Sequence, residues 1–209
     1  MAKFDSDGGV HGAGRGGPNL YFDAHLQMHS AKISPGELYA SKRDIAIVTV
    51  LGSCVSTCLR DPVARVGGMN HFMLPDRGGA RDSPVSEPAR YGAHAMEMLI
   101  NNLLSIGAAR ERLEAKIFGA GRVLPGLSDV GARNAEFAIE YLARERISVL
   151  AQDVGGVHAR KVYFFINSGK VLVKELKHLH NETLLQRERR YAMEIEKSTV
   201  SGRVDLFGE

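Results

Sequence analysis

The spacing of apolar residues changes period several times along this chain. Residues 45–51, Ile45-Ala-Ile-Val-Thr-Val-Leu51, form an unbroken, β-branched run that predicts a buried strand. Gly52-Ser53 interrupts it, and residues 54–60 read as a second strand. Asp61-Pro62-Val63-Ala64 is a turn signal with proline at its second position. Residues 65–74 then return as a third strand, and 77–88, with its Gly, Asp, Ser and Pro, is a loop. From 90 to 106 the period becomes helical, with Met96, Leu99, Ile100, Leu103 and Leu104 on one face and Gly107 placed to end the helix. A short strand is expected at 115–118, followed by the loop Gly119-Ala120-Gly121. A second amphipathic helix covers about 132–146, with Phe137, Tyr141 and Leu142 on one face. Strands follow near 147–152, 161–166 and 171–176, the last two joined by the hairpin turn Asn167-Ser168-Gly169-Lys170. Beyond His178 the chain is charge-rich and reads as an exposed helix to about Lys197.

At least six strands in antiparallel runs and two solid helices predict an α+β fold, a layered α/β sandwich with mostly antiparallel strands. Residues 1–18 are Gly-rich and poor in large apolar side chains, so they are expected to be disordered. The domain proper is then 19–178, and 179–209 is a charged C-terminal helix and tail. Gly12, Gly14 and Gly17 match a G-x-G-x-x-G pattern, but no strand precedes it and Pro18 follows it, which argues against a nucleotide site.

The 209 residues are 44% hydrophobic and carry a net charge of only +3, enough apolar material for a core and too little charge for nucleic-acid binding. No stretch approaches the roughly 20 apolar residues of a membrane span, and the N-terminus has no apolar signal-peptide core. The only cysteines are Cys54 and Cys58, which argues against a disulfide scaffold and for a reducing, cytoplasmic compartment.

The candidate chemistry lies between residues 49 and 71. If Asp61 and Ala64 close a two-residue loop, Cys54 lies directly opposite His71, with Cβ atoms about 4.5–5.5 Å apart. An imidazole beside a thiol promotes the thiolate, which attacks an amide carbonyl; the imidazolium then protonates the departing nitrogen and the thioester is hydrolysed. Gly52-Ser53 permits a tight turn that aims N–H groups at the developing oxyanion. Thr49 is a candidate, by proximity, to orient the imidazole. The plainer reading, a small buried hydrophobe, suits Cys58 better. Cys58 shares a strand face with Cys54 about 13 Å away, too far for a disulfide or a common zinc ion. His178 and His180 have no third ligand in sequence, so no metal and no cofactor is expected.

These residues carry a family resemblance. Leu51-Gly-Ser-Cys-Val55, Asp61-Pro62-Val63-Ala64, Gly67-Gly-Met-Asn-His71 and Met73-Leu-Pro75 strongly resemble the chemoreceptor glutamine deamidase family, CheD. Gly131-Ala-Arg-Asn134, Asp153-Val-Gly-Gly156 and Gly169-Lys-Val-Leu-Val173 agree with it, so the likeness spans about 45–175. The resemblance implies a Cys–His–Thr site that converts glutamines on the helices of methyl-accepting chemoreceptors to glutamate. It assigns Cys54 and His71. The family's threonine lies one residue further from the cysteine than Thr49, where this chain has Val48, so the third role falls to Thr49 or to another group. The resemblance further implies a sandwich related to deamidating toxins and, in some bacteria, a chemotaxis phosphatase as regulatory partner. The competing functions are a non-catalytic binder of receptor or phosphatase and a different thiol enzyme, transglutaminase-like or a peptidase.

Overall fold

The computed structural model describes residues 3–4, 9–11, 17–75, 87–123, 130–177 and 182–197. Its strands are β1 (Lys3–Phe4), β2 (Val10–His11), β3 (Asn19–Asp23), β4 (Met28–Lys32), β5 (Leu38–Ser41), β6 (Ala46–Leu51), β7 (Val55–Asp61), β8 (Val66–Asn70), β9 (Glu114–Gly119), β10 (Ser148–Val154), β11 (Ala159–Phe165) and β12 (Val171–Leu176). The helices are α1 (Glu87–Ser105), α2 (Val130–Arg144) and α3 (Glu182–Lys197). One sheet runs β1-β2-β5-β8-β7-β9-β10 and the other β12-β11-β6-β4-β3. Pairing is antiparallel except between β9 and β10 and between β4 and β6, so both sheets are mixed within an α+β fold.

The seven-stranded sheet is the middle layer. One face carries Val55, Leu59, Ala115 and Ile117 against Leu99, Leu103, Ala138 and Leu142 of α1 and α2. The other carries Cys54, Cys58, Met69 and Phe118 against Ile47, Leu51, Val162 and Phe164 of the five-stranded sheet. Burial on both faces explains why β7 shows no alternation of buried and exposed positions, Val55 through Leu59 all being buried. By contrast β3 and β4, short and interrupted by exposed or polar positions, give no comparable run and escape prediction. Most of the segment 1–18, expected to be disordered, lies outside the described residues; within it, β2 pairs with β5 and β1 with β2. The C-terminal helix forms, but it is not the exposed helix expected, because Leu184, Glu188 and Ile195 are all buried.

The β7–β8 connection also differs from expectation. Asp61 pairs with Val66 and Cys58 with Met69, so four residues, 62–65, form the loop. Two additional loop residues displace the partner of Cys54 by two positions. A shift of two leaves every side chain on its original face, since strand side chains alternate with period two. His71 therefore stays on the Cys54 face as a diagonal neighbour.

Asp61 holds this loop. Its carboxylate accepts the N–H groups of Val63 (2.9 Å), Ala64 (3.0 Å) and Ala109 (2.8 Å), and Arg112 pairs with it at 2.7 Å. Burial alone would raise its pKa; Arg112 and the three amides outweigh that and hold it well below the usual carboxylate range. Asp61→Asn should destabilise the fold by about 1.5–3 kcal/mol, read from urea midpoints, because a charge-assisted bond and amide acceptors are lost. A depressed folded pKa stabilises above the unfolded value, so the gap between wild type and variant should narrow as pH falls below about 4.

Candidate active site

The chain leaves the five-stranded sheet at Leu51 and enters the seven-stranded sheet at Val55, so Gly52-Ser53-Cys54 is the crossover between layers. All three of its carbonyls are tied down. Gly52 O accepts Gly121 N at 2.7 Å, Ser53 O accepts Asn134 Nδ2 at 2.9 Å, and Cys54 O accepts Ala120 N at 2.7 Å. Asn134 also accepts Leu74 N through Oδ1 at 2.8 Å, so one buried amide at the start of α2 joins the crossover to the segment after His71. At Gly131 a Cβ would come 2.5 Å from Ala120 O, so glycine allows α2 to pack on the 119–121 loop. That loop is braced from behind by the Arg160 guanidinium, which donates to Gly119 O at 3.1 Å and to Asp153 and Gly155.

His71 lies just beyond β8, where its N–H donates to Glu37 O (2.9 Å) and its carbonyl accepts Gly36 N (2.8 Å). Val55 and Phe72 exchange backbone hydrogen bonds at 2.9 and 3.0 Å. Cys54 and His71 each precede a member of that pair, which makes them diagonal neighbours on the inter-sheet face, at a typical spacing of about 7–8 Å. The direct opposition expected from a two-residue loop is therefore replaced by a diagonal one.

Thr49 reaches the same space from β6. Its Oγ1 donates to Ile33 O at 2.9 Å and sits 2.8 Å from His71 Nδ1. With the single hydroxyl proton spent on Ile33, Nδ1 must carry the ring proton and donate to Thr49. Nε2 is then the free lone pair, buried without a hydrogen-bond partner. Buried nitrogens of that kind are rare in native structures and point to a functional role. Burial, and then the nearby Arg187 guanidinium, push the His71 pKa down to about 3, so the ring is neutral. The Cys54 thiol, also fully buried, is pushed well up by burial and then by the Glu188 carboxylate beside it.

The structure thus joins His71 to Thr49 between the sheets, with Cys54 a diagonal neighbour of His71 on the same face, and leaves Cys58 further along β7. Burial pushes the Cys58 thiol up as well. Cys58 borders a different cavity of about 190 Å³, towards the far end of β7, whose cations are already engaged. Arg60 there donates to Ile166 O at 3.0 Å and Lys116 to Gly169 O at 2.8 Å.

Two site residues escape sequence reasoning. Asn134 enters the sequence reading only as the last residue of the family patch Gly131-Ala-Arg-Asn134. Glu188 of α3 accepts Gly52 N at 2.7 Å, Ser53 N at 2.9 Å and Ser53 Oγ at 2.8 Å. A signal for it exists: Leu184, Glu188, Tyr191 and Ile195 recur at helical spacing, placing one carboxylate in an otherwise apolar stripe.

Fold and site together define an α+β protein whose two sheets meet at a thiol and an imidazole, with the imidazole oriented from the opposite sheet. The family model for CheD chemotactic sensory transduction matches residues 73–175. A probable chemoreceptor glutamine deamidase CheD of Janthinobacterium sp. is 56% identical over 191 residues, covering 90% of this chain and 94% of that protein. Those of Herminiimonas arsenicoxydans (56%, covering 90% and 94%) and Thiobacillus denitrificans (55%, covering 90% and 95%) are similar over the same length. The chain belongs to the CheD family. Among the described residues no helix is long and apolar enough to cross a membrane.

The tautomer is directly measurable. In ¹⁵N-resolved spectra His71 should remain neutral and Nδ1-protonated at about pH 5, more than a unit below the ordinary histidine value of about 6.5. Thr49→Val should redistribute the tautomers. An imidazolium signal from His71 at that pH in the native protein would contradict the assignment.

Proposed function

We propose that this chain is a glutamine amidohydrolase that converts selected glutamine side chains of methyl-accepting chemoreceptors to glutamate, releasing ammonia. Cys54 is the nucleophile, His71 the acid–base group and Thr49 the residue that orients it. The observation that carries the reading is the Thr49–His71 bond, which leaves Nε2 as an unpaired lone pair on the ring that shares a face with Cys54. The names of the relatives, probable chemoreceptor glutamine deamidases, support the substrate class.

In this mechanism Nε2 takes the thiol proton and the thiolate adds to the carboxamide carbon. N–H groups of the crossover stabilise the oxyanion. The imidazolium returns its proton to the nitrogen, the C–N bond breaks and ammonia leaves. Water then adds to the thioester with His71 as base, releasing glutamate and restoring the thiol. Receptor helices are the partner, and a chemotaxis phosphatase is proposed as a regulator on the family resemblance. The relation of this sandwich to deamidating toxins, and a cytoplasmic setting in keeping with two free cysteines, belong to the same reading. A non-catalytic binder is favoured by one observation, the complete burial of Cys54. It gives no reason for an imidazole aligned by Thr49 with its second nitrogen unpaired.

The test is mass analysis of receptor fragments incubated with the protein, which separates deamidation from cross-linking and from chain cleavage. Cys54→Ala should abolish the amide-to-acid conversion, whereas Cys58→Ala should keep most of it. His71→Ala should lower the rate by about 10²–10⁴-fold. Thr49→Val should cost less, since it acts only through the ring's position and tautomer. A folded Cys58→Ala protein as inactive as Cys54→Ala would overturn the assignment.

A further inference from the structure

The C-terminal helix contributes something the reaction scheme does not use. Glu188 is fully buried, and its two carboxylate oxygens take three donors from the nucleophile crossover: Gly52 N–H, Ser53 N–H and Ser53 Oγ–H. The same carboxylate lies against the Cys54 thiol. A Cβ on Gly52 would come 2.7 Å from both carboxylate oxygens, so the cradle admits this group only because residue 52 is glycine.

We propose that this cradle is the subsite for the substrate's side-chain carboxamide, and that α3 occupies it as a built-in product mimic which a receptor helix must displace. The proposal rests on the deamidase reading above and adds to it where the reacting side chain sits and how access is controlled.

Three observations carry it. First, the occupant is chemically the product: a glutamate side chain, presented from a helix, placed beside the thiol of an enzyme read as making glutamate on helices. The Oε of a glutamine in this position accepts the N–H groups that the carboxylate now accepts. Second, the crossover does not need Glu188 for its shape, because its carbonyls are held independently by Ala120, Gly121 and Asn134. Donors held in place by other groups and aimed at one point describe a preorganised binding site better than a helix anchor. Third, among its described side chains α3 is attached along one stripe. Leu184, Glu188 and Ile195 are buried, and the Tyr191 hydroxyl lies 2.6 Å from that of Tyr91. Gln186, Arg187, Arg189, Arg190, Met193 and Glu194 are exposed. A helix held by one stripe can leave without dismantling the two-sheet core. Its departure would uncover Cys54 and His71 and remove the burial that keeps both neutral.

The test makes the mimic a substrate. In the full-length Glu188→Gln protein a carboxamide replaces the carboxylate in the cradle. Cys54 sulfur should bond to its Cδ, and nitrogen should leave as ammonia with the proton from His71. Water should then split the thioester, so that glutamine plus water becomes glutamate plus ammonia. Peptide mapping should find residue 188 converted to glutamate, with first-order kinetics independent of protein concentration, and no conversion in the Glu188→Gln/Cys54→Ala protein. An introduced glutamine that persists in a folded protein still active on receptor fragments would overturn the proposal while leaving the deamidase reading intact. If receptor fragments are not deamidated either, the deamidase reading fails, and cover over Cys54 is judged by thiol chemistry alone. In Glu188→Ala, iodoacetamide should alkylate Cys54 at least about tenfold faster, since losing one charge-assisted bond already shifts closure by that factor. Cys58, buried in β7, should stay slow and so reports that the fold is intact. Leu184→Ala, which loosens α3 without touching the cradle, should also speed Cys54 alkylation. Unchanged Cys54 reactivity in both variants would overturn the idea of a displaceable cover.

Discussion

Three residues carry the chain from one sheet to the other, and the rest of the site depends on how tightly that crossover is held. Leu51 ends a strand of the five-stranded sheet and Val55 begins one of the seven-stranded sheet. Thr49 and Cys54 consequently sit on different layers yet face the same gap, and His71 enters it from the strand paired with β7. The hydrogen bond between Thr49 and His71 is thus a contact between sheets. It can form only if the layers are stacked in the correct offset, which the packing of Ile47, Leu51, Val162 and Phe164 against Cys58, Met69 and Phe118 provides.

The electrostatics of this gap follow from its dryness. Low polarity disfavours charge on either partner, raising the thiol pKa and lowering that of the imidazole. Both shifts keep the thiol and the imidazole neutral in the closed gap.

The scattered motifs of the family acquire a common purpose in three dimensions. Gly131-Ala-Arg-Asn134 supplies the amide that pins Ser53 O and the glycine that lets α2 pack against the 119–121 loop. Asp153-Val-Gly-Gly156 wraps the Arg160 guanidinium, which braces Gly119. Asp61-Pro62-Val63-Ala64 forms the loop that sets the register of β7 and β8. Each fixes a piece of backbone on which Cys54 or His71 is mounted.

Local pattern was enough to locate β6 to β12, the two core helices and the shared face of the candidate trio Cys54, His71 and Thr49. These three lie within 22 residues of one another, on strands whose period of two assigns faces even when the loop length is misjudged. The two-residue error in the β7–β8 register left the face assignments intact for that reason. Tertiary structure alone decided what surrounds the trio. Asn134 meets the crossover from 81 residues away and Glu188 from 135. Helical spacing marks the Leu184, Glu188, Tyr191 and Ile195 stripe of α3 but not what it meets, because what joins the partners is the stacking of layers and not the path of the chain. The charge-rich sequence of α3 resembled a solvated helix for the same reason: the Glu188 carboxylate is polar in sequence, and only the tertiary structure sets three fixed donors around it.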